Sequence, residues 1–144
     1  MTVRAARWVL CIAFAVLVSS VVADVTPSLL VVRVTTDRQV YRLRRPVHIT
    51  ITETNTGDHE VQVSTGCQIL HGSLTRDGET VWTFRDFRLC LTGERPLPAG
   101  ASRRLGMFWS GRPDSGFSLA PGIYVVHAGI DGVSDSATIR LRGH

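Results

Sequence analysis

Apolar and polar residues alternate with a period of two almost everywhere between Leu30 and Leu141, and this pattern constrains the fold more than any other feature. Leu30, Val32 and Val34 alternate with Val31, Arg33 and Thr35. Val47, Ile49 and Ile51 alternate with His48, Thr50, Thr52 and Thr54, placing β-branched threonines on the wet face of a half-buried strand. Asn55-Thr56-Gly57-Asp58 reads as a turn, after which Val61 and Val63 resume the alternation. Leu70 and Leu74 belong to a weaker strand, interrupted by His71-Gly72 and expected to be short or bulged. Asp77-Gly78 is a hairpin signal, and Val81, Trp82 and Phe84 form the returning strand. Residues 85–100 are irregular and predict a long loop. Leu105, Met107 and Trp109 form another strand, which stops at Ser110-Gly111-Arg112-Pro113. Tyr124, Val126 and Ala128 mark the penultimate strand, and Ala137, Ile139 and Leu141 the last. Apolar residues do not recur at helical spacing after residue 23. Seven to eight short strands with turn-punctuated spacing predict an all-β, antiparallel β-sandwich of immunoglobulin-like type.

The first 23 residues stand apart from this pattern. Arg4 and Arg7 precede an uncharged, mostly apolar run from Trp8 to Ala23, and Val21 and Ala23 place small residues before a cut at Asp24. This predicts a signal peptide at 1–23 and one domain at 24–144, exported to a secreted, periplasmic or cell-envelope location. The alternative is a retained membrane anchor, and only then would the membrane be a partner. The 144 residues of the sequence less these 23 leave 121, enough for one buried core. All 16 basic residues are Arg; without Arg4 and Arg7, 14 face 12 acids, for a net charge of about +2. Cys67 and Cys90 remain after cleavage. An even number in an oxidising compartment predicts one disulfide, with two buried thiols as the alternative.

Signatures of chemistry are weak. Gly116-Phe117-Ser118-Leu119-Ala120 nearly matches a nucleophile elbow, but here the serine leads to a Pro-Gly corner, not a strand-to-helix turn. The five His residues lack metal-ligand spacing, and no paired carboxylates or phosphate-binding loop occur. Arg42, Arg44, Arg45, Arg103 and Arg104 form a basic set without interleaved aromatics, which argues against nucleic acid. The expectation is a non-enzyme without cofactor or metal.

Several motifs together resemble the BsuPI-type proteinase inhibitor domain, over about Val31 to Leu141. They are Thr35-Thr36-Asp37-Arg38 with Tyr41 and Pro46-Val47, Thr54-Asn55-Thr56-Gly57, Asp77-Gly78 before Val81-Trp82, and Leu97-Pro98-Ala99-Gly100 before Trp109-Ser110-Gly111. Leu119-Ala120-Pro121-Gly122-Ile123-Tyr124 is the most specific of them. The resemblance implies an immunoglobulin-like fold and, by analogy alone, proteinase inhibition. Pro121 and Gly122 suit a tight corner, and Tyr124 sits where immunoglobulin folds place a corner tyrosine. Trp82 and Trp109 are expected to plug the core.

Two functional readings follow. One is an inhibitor of a serine protease, presenting a loop from residues 85–98. There Arg88 and Arg95 suit a trypsin-like pocket, Leu89 and Leu91 an apolar one, and Cys90, Pro96 and Pro98 stiffen the segment. The other is a non-inhibitory binding or structural module for another exported protein. An extended, rigid loop at 85–98 or 110–118 would favour the first; an exposed sheet edge or apolar patch would favour the second.

Overall fold

The computed structural model describes residues 29–66, 68–85 and 90–143. The segment assigned to the signal peptide, together with Cys67, Arg88 and Leu89, lies outside the described residues. Those described contain ten strands and no helix: β1 Leu30–Thr36, β2 Val40–Arg42, β3 Val47–Asn55, β4 Val61–Thr65, β5 Leu70–Arg76, β6 Glu79–Thr83, β7 Gly93–Leu97, β8 Ser102–Trp109, β9 Gly122–Ile130 and β10 Val133–Arg142. They form a three-stranded sheet β1-β3-β8, a five-stranded sheet β2-β10-β9-β5-β6 and a two-stranded sheet β4-β7. All pairs are antiparallel except β2 with β10.

The alternation does the work expected of it. Val32 and Val34 of β1, Val47, Ile49 and Ile51 of β3, and Met107 and Trp109 of β8 face inward. They meet Leu74, Tyr124, Val126, Ala128, Ile139 and Leu141 of the five-stranded sheet in one core. Trp109 is fully buried, whereas Trp82 lies at the core margin, with ring centroids 6.2 Å apart. Val34 N donates to Asp135 Oδ2 at 2.9 Å, so a side chain of β10 caps an amide of β1 across the two large sheets.

Ten strands stand where seven to eight were expected. The additions are β2, too short to show a period, and β7, which replaces part of the long loop assigned to 85–100. Val63 of β4 is buried and its strand needs a partner; Gly93–Leu97 supplies one, with Val63 opposite Arg95. Pro96 is tolerated there because β7 pairs on one side only. The interruption expected at His71-Gly72 is also corrected: β5 runs through it. A Cβ at Gly72 would lie 2.6 Å from Met107 Sδ, so glycine there admits a core side chain. The register shift falls later, between Leu74 and Thr75. Asp77-Gly78 turns with both residues at positive φ, 51° and 85°, as a two-residue hairpin of this kind requires.

Candidate functional site

The loop between β8 and β9 is pinned at several points. Trp109 Nε1 donates to Arg112 O at 2.7 Å, which holds the first turn against the core. Gly111 has φ 80°, and a Cβ on it would come within 2.6 Å of Arg45 O, so the loop touches the backbone between β2 and β3. Asp114 then docks on β6. Its amide donates to Val81 O at 2.9 Å, and its Oδ2 accepts from Thr83 N at 3.0 Å. Phe117 N closes a turn on Asp114 O at 3.3 Å. Ser115 to Ser118 are left exposed on a fixed base. Beneath them lies a concavity of about 860 Å³, lined by Leu43, Arg44, Arg112, Phe117 and Leu119 among others.

Tyr124 fixes the far end of the same loop. Its buried hydroxyl donates to Ala120 O at 2.8 Å and accepts from Ala120 N at 3.2 Å. Gly122 leaves room for Arg76, whose guanidinium carbon lies 5.6 Å from the centre of the Tyr124 ring and 3.3 Å from where a Cβ of residue 122 would be. Pro121 occupies the corner between Ala120 and Gly122.

The segment proposed from sequence as a loop at 85–98 is divided. Cys90 and Leu91 precede β7, and Leu91 is 94% exposed. Arg95 is exposed but belongs to β7, so it is held by strand pairing and not in a free loop. Thr83 lies just ahead of this segment and is the residue that receives Asp114. The hydrogen bond therefore ties the exit of β6 to the β8–β9 loop.

A buried polar site went unnoticed in the sequence. Glu53 of β3 and Arg103 of β8 face each other in register, 0% and 6% exposed, with Arg103 Nε 2.5 Å from Glu53 Oε2. Arg103 Nη1 donates to Ser64 O at 2.6 Å, and its Nη2 lies 3.9 Å from Asp131 Oδ2. Arg103 therefore does not join Arg104 in a surface patch. Asn55, also fully buried, donates through Nδ2 to His59 O and Leu97 O and accepts from Gly57 N. The inward phase of Val47, Ile49 and Ile51 continues to positions 53 and 55, and that phase was the signal available. Among the described residues no group of three or more His, Cys, Asp or Glu is placed to hold a metal ion.

No family model matches the chain, and no curated protein matches it in sequence. In fold it is similar to part of the alkylpurine DNA glycosylase AlkC of Pseudomonas fluorescens, solved bound to DNA containing an abasic site analog. The TM-score is 0.54 at 18% identity, over 79% of this chain and 30% of that one. It is also similar to part of a β-glucosidase, EmGH1, from Erythrobacter marinus, with a TM-score of 0.50 at 16% identity, over 78% of this chain and 15% of that one. The chain thus spans under a third of the length of either neighbour, and at such identities the likeness is one of fold alone.

Proposed function

We propose that this chain is an exported, non-catalytic protein with an immunoglobulin-like sandwich that binds another exported protein through loops at one end, as a proteinase inhibitor of the BsuPI type. The sandwich reading is supported by the core shared between the three- and five-stranded sheets and by the Tyr124–Ala120 hydrogen bonds. The charged start, apolar run and small-residue site at 21–23 support export. The two cysteines that remain after a cut at Asp24, Cys67 and Cys90, support one bridge in an oxidising compartment.

One observation carries the binding role. Asp114 fastens the exposed Ser115–Ser118 segment to Thr83, immediately before the segment that leads to the exposed Leu91. Loops held in advance of binding lose little freedom on association, which is the physical requirement for a tight loop inhibitor.

The test is a panel of serine proteases, including trypsin and subtilisin, assayed with the purified protein. Inhibition should weaken about a hundredfold or more in Leu91→Ala, Arg88→Ala or Phe117→Ala, with the melting temperature nearly unchanged. If the wild type inhibits no protease at micromolar concentration, the non-inhibitory binding module replaces this reading.

A further inference from the structure

Arginine is distributed unevenly over this fold. The segment from Asp37 to Pro46 carries Arg38, Arg42, Arg44 and Arg45 on the two sides of the short strand β2. Because β2 pairs in parallel with the end of β10, Arg42 falls directly beside Arg142. Both are exposed. Like charges directly opposite one another on adjacent strands repel. Among the described residues, neither has a carboxylate within ion-pair distance, and neither does Arg45.

These residues line one cleft. It measures about 610 Å³, within the range of pockets for small ligands (roughly 300–1,000 Å³). Its walls include Arg38, Arg42, Arg45 and Arg142, with His48 on one side. Among the described residues of the lining, Asp37 is the sole acid, and it is already engaged. Its Oδ1 accepts from Tyr41 Oη at 2.7 Å and from His48 N at 3.1 Å, while its Oδ2 lies 3.8 Å from Arg38 Nε. The carboxylate thus builds the wall and leaves Arg42, Arg45 and Arg142 uncompensated.

We infer that this cleft binds a small, multiply charged phosphate-type anion. Guanidinium groups present paired N–H donors that match the oxygens of a phosphoryl group, and several around one concavity suit a ligand with more than one such group. The repulsion built into the Arg42–Arg142 pair would be relieved by an anion seated between them. The concave shape favours a soluble ligand over a membrane surface, which would lie across the rim. The inference is independent of the inhibitor reading, because the cleft involves neither Leu91 nor the Ser115–Ser118 segment.

Calorimetric titration of the purified protein with tripolyphosphate tests it. Binding should be measurable below millimolar concentration and should weaken as NaCl is raised. Arg42→Gln with Arg142→Gln should reduce affinity at least tenfold, and Arg45→Gln alone should reduce it by a smaller factor, each with an unchanged melting curve. Arg104→Gln, an exposed arginine outside the cleft, should bind like the wild type. Absence of tripolyphosphate binding, or binding that survives the Arg42 and Arg142 substitutions, would overturn the inference. Binding confined to phosphatidylglycerol vesicles, with none to tripolyphosphate, would overturn it equally and assign the arginines to a lipid surface.

Discussion

Glu53 and Arg103 lie opposite each other on β3 and β8, sealed from solvent, with one oxygen of Glu53 and one nitrogen of Arg103 left without a hydrogen-bond partner among the described residues. Removing one member of a buried ion pair strands the other charge in a poorly solvated site. Arg103→Met should therefore lower stability by about 3–5 kcal/mol, whereas Arg103→Met combined with Glu53→Leu should recover most of the loss. Urea unfolding of the two single variants and the double variant gives the coupling directly. A single variant within about 1 kcal/mol of wild type would show that the remaining charge is not stranded in a poorly solvated site.

Asn55 serves three backbone groups at once, and Ala at this position abandons them together. Two carbonyls and one amide lose the partner that the buried Asn55 side chain supplies, so Asn55→Ala should destabilise by about 3 kcal/mol. Amide exchange should accelerate first at Gly57. Asn55→Asp should fare no better, because it removes the donor that His59 O and Leu97 O require.

The contact between the β8–β9 loop and the backbone at Arg45 makes Gly111 irreplaceable. Gly111→Ala combines a positive φ with a clash against main-chain atoms and should lower stability by about 2–4 kcal/mol. Gly116 has a similar φ of 90° but open space around it, so Gly116→Ala should cost about 1 kcal/mol. Equal melting temperatures for the two variants would mean that the close approach at Gly111 is absent.

Asp37 and Tyr41 predict losses of stability at opposite ends of the pH scale. Burial pushes the Asp37 carboxyl up, but the Tyr41 hydroxyl and the His48 amide outweigh it and hold the group below its usual value of 3.8. Its contribution is present above the unfolded value and is lost as pH falls through the folded one. Burial, and then the Asp37 carboxylate, raise Tyr41 above 10.0. That contribution is present below the unfolded value and is lost as pH rises through the folded one. Asp37→Asn should flatten the acid limb and weaken the alkaline one in melting temperatures recorded across pH, and unchanged limbs would refute the linkage.

The bridge proposed between Cys67 and Cys90 closes a loop of 24 residues by their numbering. Chain-entropy arithmetic gives it about 3 kcal/mol. Cys67→Ser should lower the melting temperature accordingly, and thiol titration of the unreduced wild type, cleaved at Asp24, should find no reactive cysteine. Two titratable thiols would remove the bridge.

Much of the strand pattern was legible because period two is a local property. Val47, Ile49 and Ile51 announce β3 without reference to any other part of the chain. What could not be read is what depends on partners. β7 carries two exposed charges and a proline, and exists because β4 needs a neighbour. Glu53, Asn55 and Arg103 follow the inward phase of their strands against their chemical type, so phase and polarity gave opposite answers and polarity misled. The arginine cleft was invisible for a related reason. Arg42 and Arg142 become neighbours only through a parallel pairing that no local signal specifies.

The position of β10 sets an order of events during folding. It lies between β2 and β9, its Asp135 caps Val34 across a sequence separation of 101 residues, and its inward side chains complete the core. The five-stranded sheet and the shared core are not complete until this strand is available, so nearly the whole domain must emerge before it can fold. Contacts this distant in sequence make folding slow, in the millisecond-to-second range typical of all-β domains. On the proposed export route, a chain with that property would stay unfolded while it is threaded through a translocon and would gain its structure only on the far side.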